Sequence, residues 1–141
     1  MDEPGHSGGC ACGAVRIEAS GEPYRVGLCH CLTCRKRHAA PFSAFAVFPR
    51  ERVRFGGGEI AAFRSSGTGQ RHFCRACGSP LFYAEDGSDE IELYLGSFDE
   101  PSRWMPTYEA WDQRREAWLP DLPTVTHRYE ENRTGTGRTE T

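Results

Sequence analysis

No apolar run in the chain approaches the ~18 residues that a membrane span requires. The opening Met1-Asp2-Glu3-Pro4-Gly5 is acidic and carries no apolar core, which predicts no signal peptide and a cytoplasmic protein. Apolar residues are scarce at 38%, mean hydropathy is -0.62, and Gly (16) and Pro (9) take up 25 of 141 positions. A chain of this length forms one domain, and with so little to bury, metal cross-links are an expected source of its stability. Positive charge is also short: 17 Lys and Arg face 20 Asp and Glu, for a formal charge of -3. That is a poor match to nucleic acid, and Arg35-Lys36-Arg37 is only one short basic run. Neither Gly-rich run, Gly56-Gly57-Gly58 or Ser66-Gly67-Thr68-Gly69, has the Gly-Lys-Ser/Thr ending of a phosphate cradle, so both read as hairpin turns.

Cysteine, by contrast, is abundant. The odd count of seven and the C-x-C and C-x-x-C spacings fit thiolate metal ligands better than a disulfide framework, and point to a reducing compartment. Cys29, Cys31 and Cys34 fall within six residues, so one short piece of backbone can wrap one ion at little loop-closure cost. Structural zinc sites are almost always closed by four protein ligands, whereas catalytic zinc keeps a position open, so this trio reads as a working site. Cys74-Arg75-Ala76-Cys77-Gly78 is a zinc knuckle that supplies two ligands. Cys10-Ala11-Cys12-Gly13 offers the missing pair, which closes a four-cysteine site tying the start of the domain to its middle. The alternative joins Cys10 and Cys12 to two members of the trio and strands the knuckle. Seven thiolates holding two Zn2+ change the charge by -7 + 4 = -3, to about -6 when loaded.

The rest of the chain reads as a mainly β structure. Ala14 to Ala19 alternates apolar and charged residues as a half-buried strand does, and a second strand, Tyr24 to Leu28, leads into the trio. Leu32 to Ala39 has the composition of a short helical turn ended by Pro41. Phe42 to Phe48 is an apolar, buried strand, followed by short strands at Arg52 to Phe55, Ile60 to Ser65, Gln70 to Phe73 and Glu90 to Leu95. Asp99-Glu100-Pro101-Ser102 has the form of a helix start. Residues 1–8 read as a flexible N-terminus, 9–131 as the zinc domain, and 132–141 as a disordered tail.

Gly9-Cys10-Ala11-Cys12-Gly13-Ala14-Val15-Arg16, Cys29-His30-Cys31-Leu32-Thr33-Cys34-Arg35 and Phe73-Cys74-Arg75-Ala76-Cys77-Gly78-Ser79-Pro80-Leu81 occur in that order. Together they resemble the glutathione-dependent formaldehyde-activating enzyme family, which also includes centromere protein V. The resemblance covers about residues 9 to 81 and continues more loosely to about 123. It implies a zinc-stapled β-tent fold of small antiparallel sheets, a structural zinc on Cys10, Cys12, Cys74 and Cys77, and a catalytic zinc on Cys29, Cys31 and Cys34. It also implies condensation of formaldehyde with glutathione to S-(hydroxymethyl)glutathione, a carbon-sulfur lyase reaction in reverse. Family members often carry a His in the segment Pro106 to Trp111, where this chain has Tyr108.

An open zinc suits that reaction, because a thiol bound to it is deprotonated and an aldehyde oxygen beside it is polarised. Arg35, Lys36 and Arg37 are the expected contacts for the substrate's carboxylates, and His30 or His38 the expected proton carrier or fourth ligand. The expected partners are a small-molecule thiol and an aldehyde, with neither nucleic acid nor membrane; a homodimer is compatible. A non-enzymatic zinc scaffold is the competing class, in which a fourth internal ligand completes the trio. A methionine sulfoxide reductase of the B type would need a catalytic cysteine late in the chain, and none follows Cys77.

Overall fold

In the computed structural model, residues 3–140 are described. Eleven strands and one short helix form two sheets. The small sheet has the order β1-β2-β5, with β1 (Gly5–Gly9), β2 (Val15–Ser20) and β5 (Val53–Gly57) all antiparallel. The large sheet takes in β3 (Arg25–Cys29), β4 (Ser43–Pro49), β6 (Ile60–Arg64), β7 (Gly69–Cys74), β8 (Pro80–Glu85), β9 (Glu90–Tyr94), β10 (Tyr108–Ala110) and β11 (His127–Arg128). Its order is β11-β10-β3-β4-β9-β8-β7-β6, antiparallel except that β10 runs parallel to both of its neighbours. The structure is therefore mainly β, as expected, with an eight-stranded sheet that turns mixed at one side. Among the described residues no helix is long and apolar enough to cross a membrane.

Strand β4 shows why two layers form. Its residues from Phe45 to Phe48 are all buried, and the strand's period of two divides them between opposite faces. Ala46 and Phe48 join Val15, Ile17 and Ala19 of β2 in the core between the sheets, together with Leu81, Ile91, Leu93 and Phe98. Phe45 and Val47 face the other way, toward Tyr94 and Tyr108. Each fully buried aliphatic side chain contributes roughly 1.5–3 kcal/mol. The alternation read in β2 is real: Val15, Ile17 and Ala19 point inward and Arg16 and Glu18 outward.

Three expectations change. The lead-in is not loose from residue 5 onward, because β1 pairs along β2, and His6 is buried with its Nε2 2.8 Å from Gly21 O and its ring against Trp104. Residues 1–2 lie outside the described residues. No helix starts at Asp99; Ser102 takes a positive φ of 65°, which turns the chain away. The expected tail is tied down through residue 140. Arg138 bonds Asp89 and Glu90, while Glu140 accepts from Tyr129 and Arg133.

Candidate metal centre

The seven thiols separate into two clusters, in each of which the ligand atoms lie within 4.8 Å of one another: Cys10, Cys12, Cys74 and Cys77, and Cys29, Cys31 and Cys34. This removes the alternative in which Cys10 and Cys12 share the trio.

The four-cysteine cluster bridges the sheets, with Cys10 and Cys12 between β1 and β2, and Cys74 and Cys77 at the β7–β8 turn. A tight turn brings each pair together. Gly13 and Gly78 adopt φ of 81° and 79°, where a side chain would be strained. Gly78 N–H donates to Cys74 O at 2.8 Å, and Ala11 N–H reaches across to Ser79 Oγ at 3.0 Å. Sulfurs at about 2.3 Å around a tetrahedral ion stand about 3.8 Å apart. Cys10 and Cys12 are 3.5 Å apart and Cys12 and Cys74 3.9 Å, so the donors fit such an ion. The hydroxyl and amide of Ser79 lower the Cys77 pKa to about 5.

The trio is built where β3 ends and α1 (Leu32–His38) begins. Cys29 closes β3, Cys31 is the N-cap, and Cys34 sits in the first turn. The Cys31 sulfur accepts from Cys34 N–H at 3.3 Å, so the cap itself folds the ligands toward one point. Hydrogen bonds from Cys29 and Cys34 drive the Cys31 thiol far down, while its bond to Cys31 drives Cys29 far up. One sulfur thus holds the charge, and binding a cation would require the other two thiols to lose their protons as well.

The trio opens into a cavity of about 820 Å³. Four arginines (Arg25, Arg71, Arg114, Arg133) and two glutamates (Glu85, Glu92) line it, an excess of two positive charges in an acidic protein. Tyr83, Tyr94 and Tyr108 form aromatic walls. Tyr108 fits because Gly27, its partner across β3 and β10, has no side chain; a Cβ there would lie 2.5 Å from the Tyr108 ring. Burial pushes the Tyr94 and Tyr108 hydroxyls up, and raises the Glu92 carboxyl from 4.5 to about 7. No Asp, Glu or His among the described residues joins the trio within 4.8 Å.

The basic run lies elsewhere. Arg35 bonds Glu116 and Pro41 O, Arg37 lies over the rings of Phe63 and Phe73, and neither they nor Lys36 line the cavity. His30 is fully buried between two trio members and is also absent from the cavity walls. Its Nε2 donates to Glu109 Oε1 at 2.7 Å, and Arg115 and Arg128 donate to the same buried carboxylate. Burial alone would raise Glu109, but the bonds from His30 and Arg115 outweigh it and hold the carboxyl low. His30 thereby clamps the Cys29–Cys31 bend to β10, with its amide donating to Ala110 O at 3.0 Å. His38 stacks edge-on against Tyr94; burial first, then Arg71 and Arg37, lowers it to about 4.

The cavity's charged groups, Arg25, Arg71, Glu92 and Arg133, escaped sequence reasoning because no spacing signal marks them. Each is a single residue on a strand or loop, and Arg71, Glu92 and Arg133 lie far from the trio in sequence.

The chain is thus a small, mainly β protein with two converging thiol clusters, one closed and one open to a cavity, each of which could hold a metal ion. The family model for glutathione-dependent formaldehyde-activating enzyme matches residues 5–114, and the chain belongs to that family. A Schizosaccharomyces pombe protein named as an uncharacterized lyase is 33% identical over 81 residues, which span 57% of this chain and 58% of that protein's length. A crystal structure of a Rhodobacter sphaeroides protein is similar in fold, with a TM-score of 0.57 at 23% identity, covering 69% of this chain and 91% of that one.

Proposed function

We propose that the chain is a zinc-dependent enzyme that joins a thiol to an aldehyde, of the S-(hydroxymethyl)glutathione synthase type, and that catalyses carbon-sulfur lyase chemistry in reverse. The single observation that carries this reading is the trio itself: three convergent sulfurs at a cavity of about 820 Å³, with no His, Asp or Glu among the described residues joining them. Family membership and the lyase name of the Schizosaccharomyces pombe relative support it. Zinc at the trio would supply a Lewis acid that holds a thiol as its thiolate and polarises a carbonyl.

The chain's own residues do the rest. The surplus of arginines draws in a carboxylate-bearing thiol such as glutathione, and Tyr83, Tyr94 and Tyr108 exclude water around it. Glu92, poised near neutrality, accepts the thiol proton on its carboxylate and returns it to the aldehyde oxygen as the carbon-sulfur bond forms. His30 acts by fixing the ligand bend, not by carrying protons. Cys10, Cys12, Cys74 and Cys77 hold the structural ion.

The test is formaldehyde consumption with glutathione, after subtraction of the spontaneous condensation, alongside X-ray absorption at the zinc edge. Catalysis in the native protein, its loss in Cys31→Ser, and an extra sulfur in the metal's shell on adding glutathione are expected. No excess rate and no added sulfur would leave a zinc scaffold instead.

A further inference from the structure

Arg71 is a buried cation without a carboxylate. Only 8% of the residue is exposed, yet no Asp or Glu among the described residues comes within 4.0 Å of its guanidinium. Buried charges are normally paired, since an uncompensated one is costly. Its contacts account for the position. Nε donates to Ser65 Oγ at 3.0 Å, and Nη1 reaches Cys34 Sγ at 3.4 Å and Tyr94 Oη at 3.5 Å. The guanidinium also lies over the ring of Tyr83, its partner across β7 and β8, at 5.3 Å. The one group among these that can carry full negative charge is the sulfur of the trio.

The geometry points to Arg71 as the positioning residue of the three-cysteine centre: its guanidinium is the counter-ion of the trio and, by donating to the Cys34 sulfur, weakens that ligand's donation to a bound metal. This rests on the metal-binding reading above. Three thiolates around a dication leave a net charge of -1, and one guanidinium beside them brings the ensemble to neutrality. Hydrogen bonds to a ligating sulfur draw electron density off it, which keeps the metal electrophilic toward a fourth ligand; partners of this kind also orient the ligand.

The test uses the full chain loaded with cobalt(II), whose sulfur-to-metal charge-transfer band reports ligand donation without any turnover. Every variant keeps the four-cysteine cluster, so its contribution subtracts. Arg71→Met should move the trio's band to lower energy, because Cys34 donates more strongly, and should speed release of one of the two ions to a chelator by roughly 10–100-fold, because the buried thiolates lose their counter-ion and are protonated more easily. Arg71→Lys, which keeps the charge, should recover much of the release rate. Should both fail to fold, Ser65→Ala carries the test, since it frees only Nε and should move the band the same way by less. An unmoved band and release rate in folded variants, with a raised KM for the thiol alone, would make Arg71 a substrate clamp and overturn the proposal. A native protein that binds a single ion would remove both the proposal and the reading beneath it.

Discussion

Replacing Cys77 should cost far more stability than replacing Cys31, although each change removes one ligand from one centre. Cys77 is exposed, so Cys77→Ser empties no packed space. Cys31→Ser keeps an oxygen where the sulfur accepts from Cys34 N–H, so the cap of α1 survives. What differs is the length of chain each centre closes. The four-cysteine centre encloses 77 - 10 + 1 = 68 residues and joins the two sheets, whereas the trio encloses 34 - 29 + 1 = 6 residues. With the loop-closure relation for cross-links, these correspond to about 4 and about 2 kcal/mol of restriction on the unfolded chain. A domain of this size has a total stability of roughly 5–15 kcal/mol. Added to this is the binding free energy of a structural ion, on the order of 10 kcal/mol. Urea unfolding followed by circular dichroism, with metal content measured on the same samples, should therefore find Cys77→Ser largely unfolded. Cys31→Ser should keep one ion and a cooperative transition. Equal losses in the two variants, or a native-like Cys77→Ser, would refute the division into a staple and a working centre.

Gly27→Ala should lower stability by about 1–3 kcal/mol in thermal melts, because the new Cβ drives into the Tyr108 ring, and it should reduce activity by narrowing the cavity. Glu92 has a folded pKa raised to about 7 from 4.5, so its contribution to stability is present below about pH 4.5 and is lost as pH rises through 7. Glu92→Gln should accordingly gain up to about 3 kcal/mol over the native protein at pH 8 and almost nothing at pH 4, measured as paired urea midpoints, while losing the reaction. Glu109→Gln should cost about 3 kcal/mol, since Arg115 and His30 lose a buried anion, and should release the trio's metal first, as read by a chelator assay.

The two thiol clusters were legible in the sequence because turn geometry is local: two cysteines with one or two residues between them, followed by Gly13 or Gly78, specify their own convergence. The strands β2 and β4 were legible for a similar reason, since alternation and an unbroken apolar run each imply a burial pattern. Strand β1 was not, because its buried residues are His6 and Gly8, which look polar or neutral in composition and are buried only through pairing with β2 and the approach to Ser97 and Phe98. The cations that line the cavity were missed for the opposite reason. Arg35, Lys36 and Arg37 adjoin the trio in sequence, but helix α1 carries all three outside the cavity, Arg35 to an ion pair with Glu116 and Arg37 to ring contacts. The cations that line the cavity come from β3, β7 and the segments around residues 114 and 133. Strand register alone brings Arg71 to the sulfurs, and the sequence carries no mark of that register.

The distribution of ligands along the chain also sets an order of events during synthesis. Five of the seven thiols, from Cys10 to Cys34, leave the ribosome before β4, while Cys74 and Cys77 follow some forty residues later. At a synthesis rate of about 5–20 residues per second this leaves an interval of about 2–8 s in which Cys10 and Cys12 have no proper partners and the trio is their only neighbouring source of sulfur. The hairpin of β3 and β4, with α1 between its strands, is a local unit and folds within about 1–10 μs once exposed. An ion captured there early would occupy all three trio sulfurs and leave none to spare, so rapid local folding would keep the N-terminal pair from the wrong centre until the knuckle arrives.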